Sequence, residues 1–253
     1  MRNLFLNFFK KKYFFLILKK IIKRFEKNTV LEAKQWAKLN TVYTTEQFCQ
    51  IIDAELFDHI KSEIKTIQEE SKKKLSELKI PLGGGGNYLL LYFLTRKLKP
   101  LNVVETGVAA GWSSLVILRA LKKNGIGRLF SSDFPYIRLK NPEQYIGFLA
   151  QNETNKDSWF LDIRGDDIAL PEIVKKLEKK QIDLFHYDSD KSYSGRVNAL
   201  KNLEPNFTPE TVIIFDDIQD NLQFRDYVYQ NKKNFYVLKF EEKYVGITGR
   251  DLF

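Results

Sequence analysis

From residue 102 onward, short apolar runs alternate with segments whose apolar positions recur at helical spacing. The apolar runs are rich in β-branched and aromatic residues, which is typical of strands, and a segment with a charged face follows each of them. The predicted strands span 102–107, 127–133, 158–163, 182–190 and 211–218. The predicted helices span 113–123, 142–153, 169–180, 194–204 and 222–233. Strand–helix alternation of this length predicts a parallel sheet that is covered by helices on both faces.

The two ends of the chain depart from this alternation. Residues 235–240 and 244–249 are predicted to form an antiparallel hairpin. Residues 30–79 show a helical pattern, and a capping box from Thr44 to Gln47 marks one helix start. We therefore predict an α/β fold with a Rossmann-like, doubly wound, mostly parallel sheet. A C-terminal antiparallel hairpin completes the sheet, and a helical extension precedes it.

Length and composition fit one large domain with an appendage. The chain has 253 residues, of which 43% are hydrophobic and 29% are charged, and this composition is typical of globular proteins. Three units are predicted: an arm at 1–30, a helical extension at 31–80 and an α/β domain at 81–253. No proline-rich or serine-rich linker separates them.

Cysteine and histidine are too rare for most metal centres. The single cysteine, Cys49, excludes an intramolecular disulfide and any multi-cysteine zinc or iron–sulfur site. The two histidines, His59 and His186, exclude a histidine-rich site, so any metal must be held mainly by oxygen. The scarcity of cysteine favours a reducing compartment, and we expect a cytoplasmic protein.

The positive charge is concentrated in the arm. The formal net charge is +9, and residues 1–30 contain nine lysines and arginines but one glutamate. The rest of the chain therefore has a net charge of only +1. Because an enzyme that acts on nucleic acid needs a basic groove at its active site, nucleic acid is not expected as a substrate.

The arm also has an amphipathic pattern. Apolar residues from Phe14 to Phe25 fall on one face of a helix, and basic residues occupy the opposite face. The longest apolar run, 13–18, is too short to cross a bilayer, which takes about 20 residues. The pattern predicts either peripheral contact with the inner face of an anionic membrane or packing against protein. The second alternative includes a partner subunit in a homodimer.

A glycine-containing turn follows the first predicted strand. The sequence VETGVAAGWSS at 104–114 places Gly107 and Gly111 where the backbone can approach a ligand. The dinucleotide fingerprint G-x-G-x-x-G would require glycine at Trp112, and the chain has no G-x-x-x-x-G-K-S/T phosphate loop. One acid, Glu105, lies on this strand, and a second, Asp133, ends the next predicted strand.

This arrangement resembles the class I S-adenosylmethionine-dependent methyltransferases. The resemblance implies that the glycine turn holds the methionine part of the cofactor. It also implies that Asp133 accepts hydrogen bonds from the ribose hydroxyls. The residues that it assigns to the cofactor loop are Glu105, Gly107, Gly111 and Ser113.

The same resemblance assigns two further segments to the cofactor site. In related O-methyltransferases, a segment at the position of LGGGGNY, 82–88, closes over the methionine end of the cofactor, and the alternative is a flexible hinge. The residues assigned to this closing segment are Gly84, Gly85 and Asn87. The third predicted strand ends in RGDD, where the family places residues near the adenine, and this favours Asp166. Alternatively, Asp166 or Asp167 caps the following helix.

Two later predicted strands end in clusters of acidic residues. HYDSDKSY spans 186–193 and FDDI spans 215–218. In a doubly wound sheet these strand ends are neighbours, so Asp188, Asp216 and Asp217 are expected to converge. Because clustered carboxylates repel one another and hard cations prefer oxygen ligands, the pattern predicts a Mg²⁺ site. The alternative is that these aspartates cap the helices that follow.

Asp188 followed three residues later by Lys191, with an acidic pair ending a later strand, resembles metal-dependent O-methyltransferases of the catechol and caffeoyl-CoA type. In those enzymes the aspartate binds the metal, the lysine is the general base and the later pair is Asp-Asn. This chain has Asp217 in place of the asparagine. The surrounding DSDKSYSGR and IIFDDIQDN look more like the macrocin-type sugar O-methyltransferases. The resemblance covers about residues 81–249.

The resemblance implies a methyltransferase that uses S-adenosylmethionine and Mg²⁺ to methylate a hydroxyl of a small molecule, sugar or glycan. Lys191 is the first candidate for the general base, followed by His186 and Asp190. Lys191 would otherwise be a charge partner of the aspartates, and His186 a core residue. Two other functions remain compatible with the sequence: a metal-independent N-methyltransferase, and a non-catalytic, membrane-associated glycan-assembly protein with a relic fold.

Overall fold

The computed structural model of the chain describes residues 28–250 apart from 79, 83 and 154–157, together with residues 10, 13, 14, 17, 18, 26 and 252. The strands in this part are β1 (Thr41–Thr44), β2 (Asn102–Thr106), β3 (Arg128–Ser132), β4 (Trp159–Asp162), β5 (Leu184–Tyr187), β6 (Val212–Phe215), β7 (Phe235–Phe240) and β8 (Lys243–Gly249). The α-helices in it are α1 (Val30–Asn40), α2 (Thr45–Ile52), α3 (Ala54–Ser76), α4 (Tyr88–Leu98), α5 (Trp112–Asn124), α6 (Asp166–Leu177), α7 (Tyr193–Leu203) and α8 (Gln223–Gln230). Short 3₁₀ turns span Glu204–Asn206 and Ile218–Asp220.

Within the described residues, the strands form one eight-stranded sheet in the order β1-β7-β8-β6-β5-β2-β3-β4. The neighbouring strands from β6 to β4 pair in parallel, whereas β8 is antiparallel to both β6 and β7. The chain reverses its direction of travel across the sheet between β2 and β5, which are neighbours. The predicted doubly wound sheet with its C-terminal hairpin is confirmed. A crevice at such a reversal is the usual ligand site of an open α/β sheet.

Apolar side chains cover both faces of the sheet. On one face, buried residues of α2 to α5 pack against the strands, and Phe48, Ile60 and Phe93 belong to this cluster. On the other face, the cluster includes Leu170 from α6 and Phe224 from α8. Both faces of the central strands are therefore dry, which explains why the sequences of these strands read as continuous apolar runs.

The N-terminal extension contains a strand that the helical pattern of residues 30–79 did not predict. β1 lies at the sheet edge and pairs in parallel with β7, with Thr44 opposite Lys239. Its sequence, TVYT, has high β propensity, and its side chains alternate between half-buried and exposed. The capping box that begins α2 is confirmed, since Thr44 Oγ1 accepts from the amide of Gln47 at 3.2 Å and Gln47 Oε1 accepts from the amide of Thr44 at 2.9 Å.

The helix predicted over 142–153 is wrong, because this segment forms a series of turns. The amide of Gly147 donates to the carbonyl of Ala109 at 2.9 Å, and the amide of Leu149 donates to the carbonyl of Ala110 at 2.9 Å. Gly147 also has a φ of +69°, which a regular helix does not contain. The segment gives up helical hydrogen bonds because two of its amides bind the glycine turn after β2.

The described residues of the arm contact the α/β domain. Tyr13 is buried, and its hydroxyl donates to Glu143 Oε1 at 2.8 Å. The carboxylate of Glu26 accepts from the amide of Tyr193 at 2.8 Å. Most of the predicted amphipathic helix lies outside the described residues, and membrane contact and a homodimer stay predictions. In the part of the chain that the structure describes, no helix is both long and apolar enough to cross a membrane.

Candidate active site

The glycine turn after β2 packs with almost no spare room. Gly107 has a φ of +85°, and a Cβ added there would lie 2.4 Å from the carbonyl oxygen of Asp188. Gly111 has a φ of +94°, and an added Cβ would lie 2.9 Å from the Cα of Gly147. Glycine is therefore required at both positions by conformation and by space. The turn, the acidic loop after β5 and the segment around Gly147 are fixed against one another.

Asp133 follows β3 directly and lies beside the glycine turn. Its Oδ2 accepts a hydrogen bond of 2.5 Å from the amide of Ala109, and its Oδ1 accepts one of 2.5 Å from the amide of Phe134. The side chain is only half-buried. Since each carboxylate oxygen can accept more than one hydrogen bond, Asp133 is fixed in orientation and still able to bind ligand hydroxyls.

Glu105 and Ser113 lie in the protein interior beneath the turn. Glu105 is fully buried, and its Oε2 accepts from the hydroxyls of Ser114 at 2.6 Å and Ser131 at 2.8 Å. Burial raises the pKa of Glu105 to about 7, although hydrogen bonds from these serines and from Ser113 oppose the shift. Both residues support the turn from the protein interior. Their contact with a cofactor stays a prediction.

The three predicted cofactor residues in the loop before α4 have different surroundings. Asn87 is buried, caps α4 through its Oδ1, and donates through Nδ2 to Thr45 Oγ1 at 2.7 Å. Gly85 lies against Trp112, since an added Cβ would come within 2.9 Å of the Cβ of that side chain. A Cβ added to Gly84 would have no other atom within 4 Å. The side chain of Asn87 thus anchors the loop to α2 and α4.

Asp166 connects the ends of β3 and β5. Its Oδ1 accepts from Ser132 Oγ at 2.7 Å, and its Oδ2 accepts from Ser189 Oγ at 2.5 Å. Burial raises the pKa of its carboxyl group. Gly165 occupies the N-cap of α6, so neither Asp166 nor Asp167 holds the capping position. An adenine contact by Asp166 stays a prediction.

Two of the predicted metal ligands meet at the carboxyl ends of β5 and β6. One carboxylate oxygen each of Asp188 and Asp216 and one ring nitrogen of His186 lie within 4.8 Å of one another. Asp216 is fully buried, and its Oδ2 has no hydrogen-bond partner among the described residues. A Cβ added to Gly86 would lie 2.8 Å from Asp216 Oδ2 and 3.2 Å from Asp188 Oδ2. Glycine at this position therefore leaves open the space in front of both oxygens.

The structure does not place Asp217 in this group. Its carboxylate is directed to two lysines, with Lys191 Nζ at 2.8 Å and Lys243 Nζ at 3.4 Å. Lys191 also forms an ion pair with Asp188. Burial alone would lower the pKa of Lys191, but the charges of Asp188 and Asp217 raise it above its ordinary value. In this arrangement Lys191 is a charge partner of the aspartates, and its role as general base stays a prediction.

The two other candidate bases differ in their surroundings. His186 is buried on β5, its Nδ1 lies 4.0 Å from Glu105 Oε1, and burial lowers its pKa to about 4. Its imidazole is therefore neutral near pH 7. Asp190 is turned toward the start of α7, where its Oδ1 accepts from the amide of Ser192 at 3.0 Å. Asp190 thus orders the loop between β5 and α7.

Arg196 is a site residue that the sequence did not reveal. It lies on α7, is fully buried, and its Nη2 donates to the backbone carbonyls of Asp216 at 3.0 Å and Asp217 at 2.7 Å. Its guanidinium also lies 5.8 Å from the ring centroid of Tyr187 and 5.9 Å from that of Phe215. Hydrogen bonds from a charged donor contribute about 1.5–3 kcal/mol each. Arg196 therefore fixes the backbone that carries both aspartates.

Comparisons with known proteins agree with this geometry. Residues 104–218 match a family model described as a methyltransferase domain. That span includes the glycine turn, Asp133 and both acidic strand ends. No curated protein sequence is significantly similar to the chain.

Solved structures show the same fold at low sequence identity. The O-methyltransferase from Bacillus cereus, in complex with SAH, has a TM-score of 0.54 at 16% identity, covering 73% of this chain and 91% of that chain. TomG from Streptomyces achromogenes, an O-methyltransferase involved in tomaymycin synthesis and solved with SAM, has a TM-score of 0.52 at 16% identity, covering 72% and 87%. A methyltransferase from Geobacter sulfurreducens has a TM-score of 0.51 at 15% identity, covering 73% and 90%.

A glycine turn and an acid at the reversal point of a doubly wound sheet, within a matched methyltransferase domain, define the class of this protein. It is an S-adenosylmethionine-dependent methyltransferase. Its methyltransferase domain spans residues 104–218, and the chain shares its fold with solved O-methyltransferases. The predicted resemblance to S-adenosylmethionine-dependent methyltransferases is confirmed, whereas the dependence on a metal stays a prediction.

Proposed function

We propose that this enzyme transfers the methyl group of S-adenosylmethionine to a hydroxyl of a small molecule, sugar or glycan, and that the transfer depends on a divalent cation such as Mg²⁺. The supporting observation is the buried Oδ2 of Asp216, which lacks a hydrogen-bond partner in the described part of the chain. An unsatisfied buried carboxylate oxygen is costly in free energy. It faces the same open space beside Gly86 as Asp188 Oδ2 does. Converging carboxylate oxygens are the ligands that hard divalent cations prefer.

The residues around the glycine turn suit the cofactor. Gly107 and Gly111 let the turn pack directly against the backbone of Asp188 and Gly147, which fixes the turn where the methionine part would lie. The carboxylate of Asp133, held by two backbone amides, would accept hydrogen bonds from the ribose hydroxyls. The cofactor supplies an electrophilic methyl group bonded to a sulfonium sulfur. Holding it in line with the acceptor oxygen contributes on the order of 7–11 kcal/mol at best.

The acidic residues would bind and orient the acceptor hydroxyl. Asp188 and Asp216 would hold the cation, which lowers the pKa of a nearby hydroxyl. Lys191 Nζ lies beside Asp188 and is the first candidate to accept the hydroxyl proton, which requires that the bound cation depress its pKa. His186 is the second candidate, because its imidazole is neutral and is grouped with both aspartates.

Replacement of Asp133 by alanine is expected to weaken binding of S-adenosylmethionine by about 1–3 kcal/mol, because a charged hydrogen-bond acceptor is lost. Asp133→Asn keeps one carbonyl acceptor and should lose less. Isothermal titration calorimetry of the full chain with the cofactor measures both losses. An Asp133→Ala variant with unchanged affinity would show that this carboxylate does not bind the ribose.

One experiment tests both which acceptor is methylated and whether the methyl group is transferred to oxygen or to nitrogen. The enzyme is incubated with a metabolite extract and S-adenosylmethionine labelled in its methyl group, and the labelled products are identified by mass spectrometry. We expect an O-methyl product. An N-methyl product formed equally well with a chelator present would establish the metal-independent alternative, and absence of cofactor binding would establish a relic fold.

A further inference from the structure

His186 occupies a position that the proposed metal site does not yet explain. Its side chain is only 1% exposed, and its Nδ1 has no hydrogen-bond partner within the described residues. Buried imidazole nitrogens are normally bonded to protein or water. One of its ring nitrogens is close enough to Asp188 and Asp216 for a single ion to contact all three side chains, since the three ligand atoms lie within 4.8 Å of one another.

The strand behind His186 provides a carboxylate of the kind that often supports a metal-bound histidine. In the parallel register of β2 and β5, Glu105 lies directly opposite His186. Glu105 Oε1 is 4.0 Å from His186 Nδ1, and both side chains are buried. A carboxylate that accepts a hydrogen bond from the second nitrogen of an imidazole ligand fixes the ring orientation and increases its basicity. Glu105 lies on the Nδ1 side of the ring, too far for that bond in this structure, so Nε2 is the nitrogen that remains for an ion.

The expected third carboxylate is occupied elsewhere. Asp217 is paired with Lys191 at 2.8 Å and Lys243 at 3.4 Å. Its backbone has a φ of +51°, so the chain turns sharply between Asp216 and Asp217. Asp217 is thus neutralised by two lysines and lies outside the group that His186, Asp188 and Asp216 form. Asp216 Oδ2, in contrast, has no hydrogen-bond partner among the described residues.

We propose that His186 is the third protein ligand and not a general base, so that the site consists of one imidazole nitrogen and two carboxylate oxygens, from Asp188 and Asp216. Imidazole suits borderline transition metals, whereas Mg²⁺ favours all-oxygen sites. The site therefore takes Mn²⁺ or Co²⁺ in preference to Mg²⁺. This inference rests on one part of the proposed function, namely that a divalent cation binds beside Asp188 and Asp216.

The nitrogen ligand is tested first on the unaltered full-length protein. The protein is loaded with Mn²⁺, and electron spin echo envelope modulation detects nitrogen nuclei coupled to the ion. Because the chain contains only two histidines, selective ¹⁵N-histidine labelling identifies the source. We expect a histidine coupling that changes with the label. A bound Mn²⁺ with no histidine coupling would overturn the proposal.

Metal affinity of variants provides the second test, by calorimetry with MnCl₂, CoCl₂ and MgCl₂. His186→Ala should weaken Mn²⁺ and Co²⁺ binding at least about 100-fold, since loss even of a supporting residue typically costs 10–100-fold. The matched control is His59→Ala, which changes an exposed histidine on α3 and should leave affinity unchanged. Asp217→Asn should weaken binding less than tenfold. Circular dichroism and cofactor binding establish that each variant is folded.

The outcomes separate this inference from the proposed function. If Asp217→Asn weakens binding more than His186→Ala, or if Mg²⁺ binds as tightly as Mn²⁺, the nitrogen site is wrong while metal-dependent methyl transfer stands. If none of the three cations binds the wild-type protein, both the inference and the metal dependence fail. If His186→Ala does not fold, the ¹⁵N-histidine result on the wild-type protein decides the question.

Discussion

Substitution of Gly107 by alanine is expected to reduce affinity for S-adenosylmethionine at least about 100-fold, or ~3 kcal/mol. The added Cβ would lie 2.4 Å from the carbonyl oxygen of Asp188, and that contact is with backbone rather than with a flexible side chain. The positive φ of Gly107 disfavours alanine as well. The turn must therefore move away from the end of β5, and the cofactor surface moves with it. Calorimetric titration with the cofactor measures the loss.

Gly125→Ala is the matched control for this substitution. Gly125 also has a positive φ, +72°, at the end of α5, but an added Cβ would meet nothing within 4 Å. This variant should lose about 1 kcal/mol of unfolding free energy and keep its cofactor affinity. If Gly107→Ala binds the cofactor as well as Gly125→Ala does, the turn after β2 does not hold the cofactor.

Asp188→Asn is expected to reduce methyl transfer about 10³-fold, or ~4 kcal/mol of transition-state stabilisation. The substitution removes one of the two carboxylates that face the space beside Gly86. It also removes a charge next to Lys191. Asparagine has the same shape as aspartate, and the amide of Asp188, which donates to the carbonyl of Thr106 at 2.9 Å, should keep its place. Cofactor affinity should therefore stay close to that of the wild type.

Asp183→Asn provides the control at the opposite end of the same strand. The carboxylate of Asp183 accepts from the amides of Leu101 and Asn102, each at 2.8 Å, far from the carboxyl ends of the strands. Its loss should cost about 1 kcal/mol of stability and leave the rate of methyl transfer unchanged. Retention of turnover by Asp188→Asn within tenfold of the wild type would show that the acidic cluster is structural.

The central sheet could be predicted from the sequence because its strands are buried on both faces. Such strands read as continuous apolar runs, and the amphipathic helices between them specify parallel pairing. β1 could not be predicted in this way, since its pairing partner Lys239 and the rest of β7 lie almost 200 residues later in the chain. The turns at 142–153 were missed for a similar reason: hydrogen bonds to Ala109 and Ala110 replace the local helical pattern.

The acidic site was predictable only in part. The convergence of Asp188 and Asp216 could be predicted because both residues follow parallel strands, and the carboxyl ends of parallel strands lie at one edge of the sheet. Their local sequence does not show that the chain turns at Asp217 and directs that carboxylate to Lys243. Nor can four consecutive glycines reveal that Gly86 is the one beside the carboxylates. From the sequence alone, Arg196 looks like an ordinary surface residue of a helix, because its partners are backbone carbonyls just after β6, those of Asp216 and Asp217.

The most direct test of metal-dependent methyl transfer is the initial rate of the full-length enzyme before and after metal removal. The enzyme is treated with EDTA, dialysed, and assayed with methyl-labelled S-adenosylmethionine and the metabolite extract as the source of acceptor. Mg²⁺, Mn²⁺ or Co²⁺ is then restored, and cofactor affinity is measured in parallel. We expect the rate to fall about 100-fold or more after EDTA treatment and to recover with added cation, while cofactor affinity stays constant. A rate unaffected by EDTA, with the cofactor still bound, would contradict the proposed dependence on a metal.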